Sequence, residues 1–421
     1  MHSLLTLLLQ IAVILVVARV VGLLFRKINQ PQVVGEMVAG IILGPSLLGW
    51  VAPGISAQLF IPSSLEYLNV ISQVGLILFM FLVGLELDPR LLNGNRKAAV
   101  AISQSSIIVP FVLGGLLAMY LYPRLSGPPV TLTAFTLFMC AAMSITAFPV
   151  LARILLERDM LRTKIGALAI SCAAVDDVTA WCILAVVIAI VRSGQNTFPV
   201  WVTIGGTALF VVLMVLAVRP ALGFLVERRN RRGVLSEDVT ALILLLVLAA
   251  AWTTEWLGIH ALFGAFILGA VMPKDHEFVS EITEKLGHIT MTFFLPIFFA
   301  LAGLRASIGS IAGLEMWFFF ALVLATAVLG KFGGAAGMGR LVGLSWRDAG
   351  IIGTLMNTRG LVELVILNIG FDLGVIPPSL YTMMVLMALI TTFMTTPIIM
   401  RLYPESARQQ ELVLAGGGTH A

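Results

Sequence analysis

Long apolar runs recur along the whole chain and restrict what it can fold into. Each run is close to the ~20 residues that an α-helix needs to cross the hydrocarbon core of a bilayer, and short polar stretches separate one run from the next. Hydrophobic residues make up 59% of the 421 residues and charged residues only 11%, whereas a soluble domain has about 25% charged residues. The sequence therefore predicts an all-α polytopic membrane protein.

Run length, helix breakers and charge together predict about thirteen transmembrane helices. The first run has neither a basic segment before it nor a clear cleavage site after it, so we interpret it as a retained helix and not as a signal peptide. The predicted spans lie near residues 4–25, 33–49, 65–87, 98–121, 131–156, 164–191, 198–225, 237–256, 259–273, 286–304, 313–341, 348–371 and 379–402.

Basic residues in the loops predict the orientation of the chain. Lysines and arginines follow the odd-numbered spans, whereas the alternate loops contain only Arg124, Arg192 and Arg305. Basic loops mark the cytoplasmic side, which predicts an N-terminus outside and a C-terminus in the cytoplasm. These loops account for the net charge of +4, which implies no nucleic-acid partner. Residues 404–421 are predicted to be a short cytoplasmic tail without a nucleotide-binding domain.

Two of the predicted spans are interrupted by helix-breaking residues. Pro149 lies in the fifth span, and Gly360 follows a polar stretch in the twelfth. Such residues are tolerated at bilayer depth where the backbone is buried in protein or lines a cavity. Spans one to six and eight to thirteen form two sets of opposite topology, with the interrupted helix fifth in each. We predict two inverted-topology six-helix repeats whose broken helices cross, an arrangement typical of transporters; two ordinary kinks are the alternative.

Two adjacent acids, Asp176 and Asp177, lie near the middle of an apolar run from residue 165 to 191. A charged side chain at bilayer depth costs several kcal/mol, so a consecutive pair needs a reason. A structural ion pair between helices is one interpretation, and a cation or proton site is the one we favour. Because successive helical residues point about 100° apart, the two carboxylates should have different surroundings.

Lys331 is the natural partner for one of these aspartates. It follows a long apolar run and precedes small residues that let another helix approach closely. The other aspartate would face the cavity between the broken helices, where the Thr146 hydroxyl and free carbonyls could complete an oxygen shell for a small cation. Arg359 and Glu363, spaced i and i+4, can pair with each other or reach span five, and we interpret them as supporting charges at the crossing.

Other functions fit the residues less well. A cation channel would need a filter of repeated carbonyl loops, and none is visible. A sodium-coupled solute symporter would need a second polar pocket. An intramembrane enzyme is disfavoured because the two aspartates diverge on one helix and the spans contain no serine–histidine pair or metal cluster. We therefore expect a protein that is not an enzyme and has no bound cofactor.

Several long motifs resemble the monovalent cation:proton antiporter-2 family, which includes bacterial sodium/proton antiporters, potassium efflux proteins and plant cation/proton exchangers. The first motif is Gly-Glu-Met-Val-Ala-Gly-Ile-Ile-Leu-Gly-Pro-Ser-Leu-Leu-Gly at residues 35–49. The others are residues 81–88, 144–155, the Asp-Asp span and 356–364. They occur in the family's order and cover nearly the whole chain.

The resemblance implies a transporter that exchanges Na⁺ (or Li⁺) for protons by alternating access in a bacterial inner membrane. It implies that Asp177 is the principal carrier, that Asp176 pairs with Lys331, and that Thr146 lies at the crossing. Relatives that move no net charge commonly have Asn in place of the first aspartate, so this chain resembles the electrogenic class. The expected lack of a nucleotide-binding domain argues against a gated potassium exchanger, although K⁺/H⁺ exchange stays the alternative.

The resemblance also implies how the chain is divided. Residues 91–192 and 310–403 would form the ion-transport core, and residues 193–230 a linker helix. Residues 1–90 and 231–309 would form a second, panel-like domain through which two copies associate. The expected partners are therefore a second copy of the chain, in a homodimer, and membrane lipids.

Overall fold

Helices make up all the regular secondary structure in the part of the chain that the computed structural model describes. It describes residues 3–403 apart from residues 29, 87–95, 127–129, 159, 161–162, 193–199, 225 and 228–234. The predicted tail, residues 404–421, and parts of the predicted linker, residues 193–230, lie outside the described residues.

Among the described residues, nine helices precede residue 193. They are α1 (Ser3–Lys27), α2 (Gln32–Leu43), α3 (Leu48–Val51), α4 (Pro53–Leu59), α5 (Pro62–Glu86), α6 (Arg96–Leu125), α7 (Leu132–Ser144), α8 (Phe148–Glu157) and α9 (Lys164–Arg192).

The helices that follow are partly joined by π-helical turns over Met214–Val218, Thr283–Gly287 and Thr290–Phe294. These helices are α10 (Val200–Leu213), α11 (Glu237–Trp256), α12 (Ala261–Val271), α13 (His276–Ile282), α14 (Leu295–Arg305), α15 (Leu314–Leu341), α16 (Trp346–Met356), α17 (Leu361–Asp372) and α18 (Pro378–Leu402).

Ten helical segments among the described residues are long and apolar enough to cross a membrane. Three predicted spans differ from these because they consist of shorter helices: residues 131–156 contain α7 and α8, residues 259–273 contain α12, and residues 348–371 contain α16 and α17. The all-α, multi-pass character is confirmed, while the count of thirteen and the inverted repeats stay predictions.

The described residues form two compact units. The first takes its residues from Met1–Leu15, Leu59–Pro89 and Trp181–Leu301, and the second from Val16–Gln58, Arg90–Ala180 and Ala302–Ala421. Both aspartates, Lys331 and the two interrupted spans belong to the second unit.

In the first unit, glycines bring α5 and α12 into backbone contact. A Cβ atom at Gly84 would lie 2.2 Å from the Phe266 carbonyl oxygen. Lys274 caps the C-terminal ends of both helices. Its Nζ donates to the Gly84 carbonyl at 3.0 Å, the Leu85 carbonyl at 2.7 Å and the Gly269 carbonyl at 3.0 Å. A lysine at this position satisfies carbonyls that a helix end leaves without partners.

In the second unit, glycines on one face of α15 bring it close to α6. A Cβ atom at Gly330 would lie 2.8 Å from the Pro110 Cβ, and one at Gly334 would lie 2.7 Å from the Ser105 carbonyl oxygen. Residues four apart share one helix face, so the two glycines form a continuous line of close approach. Lys331 lies between them and is fully buried.

Replacing Gly334 by Ala should lower the thermal stability of the protein, because the added Cβ meets a backbone atom that moves only with α6. Overpacking of this kind typically costs about 1–3 kcal/mol. Gly333 is the matched control on the same helix: no described atom lies within 4 Å of a Cβ there, and alanine favours helix by up to ~1 kcal/mol. Thermal unfolding in detergent checks both, and a lower melting temperature for Gly333→Ala than for Gly334→Ala would contradict the close contact.

The two interrupted spans are true helix breaks. Helix α7 ends at Ser144, and the backbone is extended at Ile145 (φ −89°, ψ 139°) before α8 begins at Phe148. Pro149 therefore lies in the first turn of α8, where its missing N–H removes no helical hydrogen bond. In the other span, α16 ends at Met356 and α17 begins at Leu361.

The two unwound segments lie against each other. The Ala147 amide donates to the Thr358 carbonyl at 3.1 Å, and a Cβ atom at Gly360 would lie 2.8 Å from the Val150 Cγ2. The C-terminal ends of α7 and α16 and the N-terminal ends of α8 and α17 therefore meet at this crossing. Such ends provide partial charges for ions or for charged side chains.

Candidate functional site

An ion pair is buried beside the crossing of the broken helices. The Nζ of Lys331, on α15, lies 3.0 Å from Oδ2 of Asp176, on α9, and both side chains have 0% exposure. Each charge would be very unfavourable here alone, and the pairing offsets that cost only if further hydrogen bonds satisfy both groups.

Hydroxyl groups supply these further bonds to Asp176. Ser103 donates to Oδ1 at 2.6 Å, and Ser106 lies 2.9 Å from Oδ2. The Thr146 hydroxyl lies 2.7 Å from Oδ2. With Lys331, these contacts give both carboxylate oxygens hydrogen-bond donors, so Asp176 is held as a well-partnered anion.

Thr146 links the ion pair to both broken helices. It lies in the unwound segment between α7 and α8, and its Oγ1 accepts from Lys331 Nζ at 2.6 Å. The same oxygen lies 3.1 Å from the carbonyl of Met356, the last residue of α16. Its single proton can go to Asp176 or to Met356, but not to both. The sequence predicts Thr146 as a ligand of a cation between the broken helices. In the structure its hydroxyl contacts Asp176 and Lys331.

Asp177 has very different surroundings from Asp176. It is completely buried, yet neither carboxylate oxygen has a hydrogen-bond partner among the described residues. The backbone amide of Phe148, the first residue of α8, interacts with it electrostatically without making a bond of ordinary geometry. A buried carboxylate with no donor is unfavourable as a bare anion. It needs a proton or a cation.

Arg359 and Glu363 lie at the crossing, on the segment before α17 and on α17 itself. Arg359 Nη1 lies 3.1 Å from Glu363 Oε1, and both side chains are buried. The guanidinium also donates to the carbonyls of Ala142 at 3.0 Å and Met143 at 2.8 Å. These carbonyls belong to the last turn of α7, where a cation is favourable. The Thr392 hydroxyl on α18 adds a bond to the Arg359 carbonyl.

Sequence reasoning missed the two serines that contact Asp176. Ser103 and Ser106 lie in the polar stretch Ser103-Gln104-Ser105-Ser106 within the otherwise apolar fourth span. That stretch was a usable signal, because buried hydroxyls in membrane helices commonly bond across helices. Charge gives no signal at these positions, because the serine hydroxyl is neutral.

The fold matches that of a known membrane protein. The solved structure of the sodium proton antiporter MjNhaP1 from Methanocaldococcus jannaschii superposes with a TM-score of 0.66 at 16% identity, and the match covers 99% of this chain and 100% of that one. At such low identity the likeness is evidence for the fold alone. The class is therefore a polytopic membrane protein with the MjNhaP1 architecture and a buried charged site at two broken helices.

Comparison with protein families identifies the class further. The family model described as "Sodium/hydrogen exchanger, transmembrane" matches residues 12–402. The chain belongs to the sodium/hydrogen exchanger family. The resemblance to monovalent cation:proton antiporters is confirmed, and membership of this family indicates a transporter of ions.

The relatives differ in the cation that their names specify and in length. The Na⁺/H⁺ antiporter NhaS4 of Synechocystis sp. is 43% identical over 407 residues, which are 96% of this chain and 99% of that protein. Cation/H⁺ antiporter 17 of Arabidopsis thaliana is 40% identical over 405 residues, and K⁺/H⁺ antiporter 1 of Saccharomyces cerevisiae 33% over 407 residues. These cover 96% and 95% of this chain, which spans only about half of the two longer proteins (49% and 46%).

Proposed function

We propose that this protein is a secondary active transporter that exchanges Na⁺ (or Li⁺) for protons, with Asp177 as the group that both ions share. The observation that carries the proposal is the Asp177 carboxylate, which is fully buried and whose two oxygens have no hydrogen-bond partner among the described residues. A proton or a small cation each neutralises it, so occupancy by one excludes the other. Family membership supports cation/proton exchange, and the relation to NhaS4 favours sodium.

Exchange follows if the same carboxylate opens to the two sides of the membrane in turn. A proton enters from one side, is carried across on Asp177, and leaves when a cation takes its place on the other side. Because an empty, charged Asp177 is unfavourable in the buried state, the transporter changes access only when loaded with one ion or the other. Alternating access of this kind couples the two fluxes without an enzyme reaction or a resident cofactor.

The Asp176–Lys331 pair makes the proposed exchange electrogenic. When one Na⁺ enters, Asp177 releases its proton, and Asp176 is drawn toward the cation. Lys331 then loses its anionic partner in a buried position and releases a second proton. Two positive charges therefore leave for one that enters. The supporting observation is the 3.0 Å contact between Lys331 and Asp176, in which both side chains are fully buried.

We also propose the membrane in which this transporter lies, its orientation, its oligomeric state and its domains. We place it in a bacterial inner membrane with the N-terminus outside and the C-terminus in the cytoplasm, since basic loops follow the odd-numbered spans. It acts as a homodimer in lipid, with an ion-transport core at residues 91–192 and 310–403 and two inverted repeats. The crossing broken helices support this, since they correspond in the two halves.

Exchange of K⁺ for protons is the second candidate. It is favoured by one comparison, since the yeast relative named K⁺/H⁺ antiporter 1 matches over 95% of this chain at 33% identity. A sodium-coupled solute symporter is the weaker third candidate.

Transport by the purified protein in liposomes tests the proposal. A pH-sensitive dye would report proton release from acid-loaded vesicles while Na⁺, Li⁺ and K⁺ are titrated in separate runs. We expect Na⁺ and Li⁺ to drive proton movement at lower concentrations than K⁺, and a response to K⁺ alone would favour the second candidate. A symporter would show no response to any of the three in the absence of a solute.

Electrogenic exchange has its own test in the sodium runs. Exchange that moves net charge builds up a membrane potential, which opposes further turnover. Clamping the potential at zero with equal K⁺ on both sides and valinomycin should therefore accelerate the sodium-driven signal. The same rate with and without the clamp would contradict the proposed release of two protons per sodium ion.

A further inference from the structure

We propose that Ser103 and Ser106 are positioning residues on α6 that hold Asp176 in place, with Ser103 as the anchor of Oδ1, so that the exchange of Lys331 for the cation takes place at Oδ2. The proposal rests on the proposed function and extends it to two residues outside the charged set. Asp176 must leave Lys331 when the cation enters, yet remain in place for the return step. An anchor on the opposite side of the carboxylate meets both requirements.

The two oxygens of Asp176 have different partners. Oδ1 accepts from Ser103 at 2.6 Å and lies 3.2 Å from Ser106, and both serines are fully buried. Oδ2 carries the contacts to Lys331 at 3.0 Å and Thr146 at 2.7 Å, and also lies 2.9 Å from Ser106. Oδ1 therefore has partners on α6 alone, whereas Oδ2 has one partner on α6 and two at the crossing.

Ser103 is the stronger of the two anchors. Among the described residues its hydroxyl has one acceptor, Asp176 Oδ1, at a distance typical of a bond to a charged oxygen. Ser106 can instead donate to the Ser103 carbonyl, which lies at 2.9 Å. Residues three apart lie on the same helix face, so both hydroxyls reach the carboxylate from one side and restrict its rotation.

Helix α6 has no charged side chain near Asp176 that could hold the carboxylate in place of these hydroxyls. Helix α6 has its charged residues only near its ends, at Arg96, Lys97 and Arg124, so it meets the carboxylate with hydroxyl groups alone. The other titratable groups that interact with the Asp176–Lys331 pair come from α9, α17 and the turn before α17: Asp177, Cys172, Arg359 and Glu363.

Anchoring should show in the affinity for the cation. A ligand group held in its binding position loses less freedom on binding than a free one. Without Ser103, Asp176 would have to be ordered each time the cation enters. We expect Ser103→Ala to raise the KM for Na⁺ about tenfold, the equivalent of one typical hydrogen bond, with kcat within about twofold of wild type. Ser106→Ala should raise the KM less, because the Ser106 hydroxyl can donate to the Ser103 carbonyl instead of to Asp176.

The experiment compares serines on one helix in the same liposome assay at one fixed pH. Ser105→Ala is the matched control, since Ser105 Oγ donates to the Gly334 carbonyl at 2.9 Å and makes no bond to Asp176. Ser103→Thr should keep the wild-type KM because it retains the hydroxyl. Sodium binding is measured separately in detergent, as the Na⁺ concentration that gives half of the thermal stabilisation.

The outcomes separate this inference from the function on which it rests. If wild type exchanges Na⁺ but Ser103→Ala and the Ser103→Ala/Ser106→Ala double variant keep its KM, the anchor is wrong and the transporter stands. A fall in kcat at unchanged KM, or an equal effect of Ser105→Ala, would also overturn the anchor. If Ser103→Ala yields no folded protein, Ser106→Ala alone decides by the same criteria. No cation-driven signal in wild type would refute the proposed function itself.

Discussion

Replacing Asp177 by Asn is expected to reduce cation-driven proton movement to the level of empty liposomes. The amide has nearly the same shape as the carboxyl group, but it has no charge for a cation and takes up no proton. Stability should change by less than about 1 kcal/mol, because the carboxyl group has no hydrogen bond to lose among the described residues and a neutral amide replaces a group that is already neutralised in the buried state. The dye assay and thermal unfolding in detergent measure the two effects.

A control on the same helix keeps this result specific. Cys182 lies on α9 beyond Asp177, and its side chain is exposed, so Cys182→Ala should transport normally. Full sodium-driven exchange by Asp177→Asn would refute Asp177 as the shared group. Loss of both transport and folded protein would contradict the expected stability.

Replacing Lys331 by Met should destabilise the protein by about 3–5 kcal/mol, because it leaves Asp176 as a buried charge without its counter-ion. Replacing Asp176 by Asn in the same protein should restore most of that stability, since a buried pair replaced as a whole is often nearly neutral. Thermal unfolding of the single and double variants measures this coupling.

The same double variant tests the number of protons. With Lys331 and Asp176 both neutral, only the Asp177 proton is left to exchange for each cation. Sodium-driven exchange should persist, and clamping the membrane potential with valinomycin should no longer accelerate it. The expected result is contradicted if the double variant is as unstable as Lys331→Met, or if the clamp still increases its rate.

Much of the candidate site could be recognised from local sequence signals. Asp176, Asp177 and Lys331 are conspicuous because a charge in an apolar run is costly wherever the helix lies. Pro149 and Gly360 predicted the two interruptions because the backbone rules for these residues are local. The i, i+4 spacing of Arg359 and Glu363 predicted that they could pair, and in the structure they lie 3.1 Å apart.

The partners of these groups were harder to predict. Uncharged hydroxyls such as Ser103 are common in helices, and nothing local distinguishes it from Ser105, which bonds to a different helix. Which of the two serines reaches Asp176 depends on how α6 is rotated about its axis. That rotation is set by its packing against α15, where Pro110 and the Ser105 carbonyl approach two glycines.

The sequence by itself determined the membrane class, the two broken helices and the family, because apolar length, helix breakers and motifs act along the chain. It also determined that the adjacent aspartates point about 100° apart. Only the tertiary structure decided that Asp176 also meets Thr146 and two serines, while the oxygens of Asp177 have no hydrogen-bond partner among the described residues. Helical spacing separates two neighbouring side chains, but the packing of the surrounding helices determines what each of them faces.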